Sequence, residues 1–170
     1  ARAPATNPGA TEVCAASNTD EECDGVADNA DSSADASTKT RYYADGDKDG
    51  YGNASTVSAL YCDDPTTTAA WWNLDNTDCD DSAIAINPGA TEICDASNTD
   101  EDCDGVADNA DSSADASTKT RYYADGDKDG YGNASTVGAL YCDDPTTTAA
   151  WWNLDNTDCD DSAIAINPGA

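Results

Sequence analysis

The chain has 170 residues, 35 acidic side chains against 7 basic ones, a formal charge of −28 and no histidine. A field of that sign repels phosphate, which excludes nucleic acid and anionic membrane as partners, and no apolar run is long enough for membrane insertion. So many carboxylates also repel one another, so the chain is either disordered or ordered around bound cations.

The first ten residues, ARAPATNPGA, correspond to DSAIAINPGA at 81–90 and again at 161–170. Between these marks the chain aligns on itself: residues 11–90 and 91–170 differ only at Val13/Ile93, Ala15/Asp95, Glu22/Asp102 and Ser58/Gly138. The expected organisation is a lead segment, 1–10, then two repeat units, 11–90 and 91–170. The segment AIAINPGA is expected to tether one unit to the next by adding a strand across the junction. Each unit has few large apolar residues, a thin core for its length, and needs staples such as disulfides or metals. The expected fold class is mainly β and irregular: small loop-rich tandem repeats with short antiparallel strands, stapled by disulfides and calcium, with little or no helix.

In chain order, the first unit opens on an acidic loop. Asp20, Glu22, Asp24, Asp28 and Asp31 fit positions 1, 3, 5, 9 and 12 of a D-x-[DN]-x-[DN]-G pattern with Gly25 at position 6. The second unit repeats it as Asp100, Asp102, Asp104, Asp108 and Asp111 around Gly105. Alternate residues on a tight turn aim oxygens inward, and the seventh position, Val26 or Val106, adds a backbone carbonyl. Calcium accepts such a mixed set of roughly six to eight oxygens. Residues 28–38, DNADSSADAST, have no apolar anchor and are expected to be loop.

A strand is expected over 38–44, TKTRYYA, followed by a second cation loop, DGDKDGYGN at 45–53. That loop supplies Asp45, Asp47 and Asp49, then Gly50 and the Tyr51 carbonyl; its repeat supplies Asp125, Asp127, Asp129 and Tyr131. Its closing position is Thr56, so a carboxylate must come from elsewhere. Asn53 opens an NAS glycosylation sequon, but its place in the loop predicts a ligand or a water holder. Further strands are expected at 55–62 and 70–74. The segment DNTDCDDS at 75–82 offers Asp75, Asp78, Asp80 and Asp81, with Glu92 following and Asp158, Asp160 and Asp161 as counterparts. These acids are expected to close the cation sites or to form one of their own. A strand at 83–86 and a type II turn at NPG, 87–89, end the unit.

The eight cysteines, Cys14, Cys23, Cys62, Cys79, Cys94, Cys103, Cys142 and Cys159, lack zinc-type CxxC spacing. They predict a disulfide framework and hence an oxidising, extracellular setting. The local pairing Cys14–Cys23, Cys62–Cys79, Cys94–Cys103 and Cys142–Cys159 leaves none over, and other orders confined to 14–79 pass the same test. The aromatic pairs at 42–43 and 71–72 are expected to be core, the alternative being a platform for surface glycans.

YYADGDKDGYG, DCDDSAIAINPGATEIC and CDGVAD together resemble the Mop-type metal-binding repeat of secreted prokaryotic surface proteins. The resemblance implies a calcium-binding, disulfide-containing extracellular module and maps onto Asp45, Asp47, Asp49, Asp78, Asp80, Asp81, Glu92, Asp100, Asp102 and Asp104. The family's namesake binds copper, a role that the absence of histidine argues against here. The expected function is structural. A calcium-binding chain at the cell surface would assemble with copies of itself or with neighbouring repeats into a filament, stalk or layer. The alternative is an adhesin or glycan-binding module. No residue pattern separates a catalytic acid from dozens of ligating ones, so an enzyme is not expected.

Overall fold

TRYYAD combines β-branched and aromatic side chains and forms the longest strand of its unit, β1 (Thr40–Asp45). The structure, a computed structural model, describes residues 6–170. Two short strands flank β1: β2 (Ala59–Tyr61) and β3 (Trp71–Asn73). The sheet order is β2-β1-β3 and both pairings are antiparallel. The two halves of β1 serve different partners. Thr40, Arg41 and Tyr42 face Tyr61, Leu60 and Ala59, whereas Tyr43, Ala44 and Asp45 face Asn73, Trp72 and Trp71. Each flanking strand therefore covers only half of β1. The chain divides into two units, Ala1–Pro88 and Gly89–Ala170. The second builds the same sheet from β4 (Thr120–Asp125), β5 (Ala139–Tyr141) and β6 (Trp151–Asn153), in the order β5-β4-β6.

The fold class is as expected, with short antiparallel strands, much irregular backbone and, among the described residues, no helix beyond two short 3-10 turns, Asp28–Ala30 and Asp108–Ala110. Several local expectations are corrected. The strand expected over 55–62 shrinks to Ala59–Tyr61. Residues 83–86 are no strand but turns, with Ala83 N–H donating to Asp80 O at 2.9 Å and Ile86 N–H to Ala83 O at 2.7 Å. The NPG turn is not type II where it is described. Ala10 N–H donates to Asn7 O, and Asn7 Oδ1 accepts the Gly9 N–H, without the positive φ at glycine that type II requires. The 28–38 loop is anchored after all, because Asp31 and Ala34 are buried.

What lies inside differs from an ordinary small domain. Among the described residues the only buried hydrophobic side chains are Ala34 and Ala114, while Glu12, Glu21, Asp28, Asp31, Asp45 and Asp78 are each 3% exposed or less. The aromatics expected as core stay at the surface of the sheet. Tyr61 stacks edge-on between Tyr42 and Trp72 with centroids 6.2 and 5.4 Å away, all three half-buried. Trp71 is 41% exposed with Lys48 Nζ 5.7 Å above its ring.

The local cysteine pairing is overturned. Cys14 bonds to Cys62 and Cys94 to Cys142, each across 48 residues with Cα atoms 4.9 Å apart. Cys79 and Cys103 are disulfide-bonded too, but Cys23 and Cys159 are free and exposed. The cause is tertiary. Cys62 follows β2, where its N–H donates to Asn29 Oδ1 at 2.6 Å, and this brings the end of β2 against the acidic loop that Cys14 precedes. The bond thus ties the two halves of a unit together. Replacing Cys14 and Cys62 with serine is expected to cost about 2–4 kcal/mol, read as a lower denaturant midpoint.

Candidate metal centres

The first centre starts where β1 ends. Asp45 is buried, its Oδ1 accepting the Lys48 N–H at 2.6 Å and its Oδ2 the Gly50 N–H at 3.2 Å, so it closes the turn that follows. Gly50 holds φ at +102°, a conformation that glycine adopts without steric cost. Asp47 Oδ1 accepts from Asp49 N–H at 3.2 Å and Asp49 Oδ1 from Tyr51 N–H at 2.9 Å. These local bonds orient both side chains and use one oxygen of each.

The carboxylate missing from the loop comes from the 75–82 segment. Asp78 N–H donates to Gly52 O, Ala54 N–H to Asp78 O, and a parallel bridge joins Asn53 to Asp78. Gly52 is buried here, and any larger residue would strike the backbone of Asp75 and Tyr43 Cβ, so the close approach requires glycine. Asp78 is 1% exposed; its Oδ1 accepts the Asp80 N–H at 2.8 Å. One oxygen each of Asp47, Asp49 and Asp78 lies within 4.8 Å of the others. The Oδ2 atoms of all three are buried without a hydrogen-bond partner, as are those of Asp127, Asp129 and Asp158 in the second unit. Asp81 lies beside them, grouped with Asp45 and Asp47, its oxygens accepting from Gly46 N–H at 2.5 Å and Asn53 Nδ2 at 2.9 Å.

Charge accumulates accordingly. Burial pushes the Asp47 carboxyl up, and the Asp49 carboxylate adds to the shift. Burial raises Asp78 as well, opposed by the Asp80 N–H and reinforced by Asp49, Asp47 and Asp81. Asp127 repeats the pattern, raised by burial and then by Asp129. Buried carboxylate oxygens without donors are costly, and a hard cation satisfies several at once.

The second centre forms around a residue absent from the sequence-derived ligand set, Glu12. It is 1% exposed, with Oε1 accepting the Asp28 N–H and Oε2 the Glu21 N–H, both at 2.9 Å. These two N–H groups hold its carboxyl below the usual range. Glu21 is equally buried and accepts the Val13 N–H at 3.3 Å, leaving Oε1 without a partner. Glu12, Glu22 and Asp31 each bring an oxygen within 4.8 Å of the others. Ser33 supports the rim, its hydroxyl donating to Glu22 Oε1 at 2.7 Å and its N–H to Asp31 Oδ1 at 2.6 Å. Glu22 Oε2 and Asp31 Oδ2 are again buried without partners. In the second unit Glu92 accepts from Asp108 and Glu101 N–H groups at 2.8 Å, and Ser113 donates to Asp102 and Asp111.

The loop of five alternating acids is therefore divided rather than wrapped as one ring. Glu22 and Asp31 turn to Glu12. Asp20 accepts the N–H groups of Cys23, Asp24 and Gly25, and Asp24 that of Val26, so these two shape the turn. Asp100 and Asp104 do the same toward Asp104, Gly105 and Val106. Asp28 turns away, accepting the Ala15 N–H at 2.9 Å, and groups with the sulfurs of Cys14 and Cys62. Asp108 groups likewise with Cys94 and Cys142. Asp80 and Asp160 bind the hydroxyls of Ser82 and Ser162. Asn53 is a positioner for Asp81. Glu92 takes the place of Glu12 in the second unit, accepting the Glu101 and Asp108 N–H groups. The repeat offset carried the signal for Glu12, which is the counterpart of Glu92.

Three segments, residues 1–29, 78–109 and 158–170, match the Cu-binding MopE family, described as "Putative metal-binding motif". They contain Glu12, Glu22, Asp78, Glu92 and Asp102 of the two centres. No curated protein and no solved structure matches the chain.

Proposed function

We propose, from the premise that the chain carries Mop-type metal-binding repeats, that it is a calcium-hardened structural protein of the extracellular space whose copies assemble into a filament, stalk or surface layer. One observation carries the reading: the interior of each unit consists of carboxylates, with partnerless oxygens converging on two centres in the first unit and on the Asp127, Asp129 and Asp158 centre in the second, where a small domain would place hydrocarbon. Such an interior is stable only with a positive ion inside it.

Calcium fits the donor set better than copper. Both centres offer carboxylate oxygens on flexible loops, the chain has no histidine, and the sulfurs grouped with Asp28 are locked in a disulfide. Soft or borderline copper ions favour thiolate, thioether or imidazole, whereas calcium accepts roughly six to eight oxygens in adaptable geometry. The disulfides support an oxidising, extracellular setting. None of the described helices is long and apolar enough to cross a membrane.

The structural role is supported by near-identity of the two units, since identical faces propagate linearly when successive rotations do not close a ring. Electron microscopy of the protein in millimolar calcium is expected to show elongated assemblies that soften or separate in excess chelator. Monodisperse particles in both conditions would remove the filament. An adhesin role is the second reading, supported by the exposed ring of Trp71 beside half-buried Trp72; a glycan screen with Trp71→Ala as control tests it.

A further inference from the structure

The cysteines divide unevenly between equivalent positions. At the repeat offset Cys23 corresponds to Cys103, and Cys159 to Cys79. Cys79 and Cys103 are in disulfides, yet Cys23 and Cys159 are free and exposed. Beyond Cys14–Cys62 and Cys94–Cys142, the bonded cysteines are thus one of each loop type, and so are the free ones.

The loops carrying the free thiols already have the geometry of those carrying bonded ones. Cys23 has φ 65° and Cys103 57°, each followed by a glycine at positive φ, Gly25 at 98° and Gly105 at 95°. On the other loop, the Asp80 N–H reaches Asp78 Oδ1 at 2.8 Å and the Asp160 N–H reaches Asp158 Oδ1 at 2.9 Å. Ala54 and Ala134 N–H groups meet the carbonyls of Asp78 and Asp158 at 2.8 Å. Both loops thus hold their backbones in the conformation of the bonded ones, which lowers the entropic cost of bringing the two sulfurs together.

We infer that Cys159 of one copy forms a disulfide with Cys23 of a second copy, joining chains head to tail. The partner is this same chain, and the joint is heterotypic because each thiol occupies a different loop type. The oxidant is a low-molecular-weight disulfide. One protein thiolate attacks it to give a mixed disulfide; the second protein thiolate then displaces the small thiol, forming the S–S bond. Two electrons and two protons pass from the protein thiols to the oxidant, which leaves as two small thiols. Both sulfurs are flanked by acids, Glu22 and Asp24 on one side and Asp158 and Asp160 on the other, so bound calcium speeds the joining by reducing repulsion between approaching chains. This inference deepens the assembly reading above and rests on it for its setting.

The test uses the full chain with its other disulfides intact, incubated with oxidised glutathione in millimolar calcium and analysed by non-reducing electrophoresis and peptide mass spectrometry. The expected result is loss of monomer into a ladder containing the Cys23–Cys159 cross-linked peptide. Chains bearing Cys23→Ser or Cys159→Ser remain monomeric alone, and their mixture stops at a dimer. Homotypic dimers in either single variant, or a wild-type chain ending as glutathione-capped monomer, would overturn it. The double variant Cys23→Ser/Cys159→Ser, viewed by electron microscopy in calcium, separates the two ideas: filaments there with no wild-type ladder leave the assembly reading standing and remove the covalent joint.

Discussion

Excess EGTA is expected to unfold the chain at room temperature, leaving it expanded and held only by its disulfides. A ligand site filled at about a hundred times its Kd stabilises the native state by about 2.7 kcal/mol. Two such centres per repeat reach about 5 kcal/mol, the lower end of the total stability of ordinary domains, roughly 5–15 kcal/mol. Little apolar burial stands behind them, since Ala34 and Ala114 are the only buried hydrophobic residues described. Circular dichroism in the near ultraviolet reads the loss through the Tyr42, Tyr61 and Trp72 cluster, whose edge-on packing gives the aromatic signal its asymmetry. Restoring calcium should restore the spectrum.

Asp78→Asn should change sign with the medium. In calcium the substitution removes a buried anionic ligand from the Asp47, Asp49, Asp78 group, and affinity at that centre is expected to fall at least about tenfold, about 1.4 kcal/mol. In chelator the same change relieves repulsion among Asp47, Asp49 and Asp81 and leaves the Asp80 N–H an acceptor of the same shape, so residual stability should rise. Denaturant midpoints of wild type and variant in calcium, and the residual near-ultraviolet signal of each in chelator, give the four values needed. Loss of stability in both media would mean that Asp78 acts through its hydrogen bonds and not as a cation ligand. The same comparison with Glu12→Gln reports on the second centre independently, since the two groups share no residue.

The first centre was legible in the sequence because its pattern is local. D-x-D-x-D-G over 45–50 sets the turn, and the absence of an acid at Thr56 implied a donor from elsewhere, such as 75–82; Asp78 of that segment groups with Asp47 and Asp49. The second centre was half legible. Glu22 and Asp31 were read from the acidic loop and group with Glu12, but the pattern implied a ring with Asp20, Asp24 and Asp28, whose carboxylates accept backbone N–H groups. Glu12 was missed because it lies outside the loop and enters only when the chain folds back so that Asp28 and Glu21 donate to it. Cysteine pairing failed for a similar reason: a bond across 48 residues depends on docking β2 beside Asn29, which no local spacing encodes. Core prediction failed more deeply. Aromatic residues are the usual interior of a small β domain, but here the interior belongs to carboxylates, and the rings cover the outside of the sheet.

The central claim is that cations form the core, and native mass spectrometry of the chelated chain titrated with calcium tests it most directly. The account predicts stepwise uptake of at least one ion for each of the two centres in each repeat, accompanied by collapse of the charge-state distribution to that of a folded chain. A chain that remains folded with no calcium retained would contradict it.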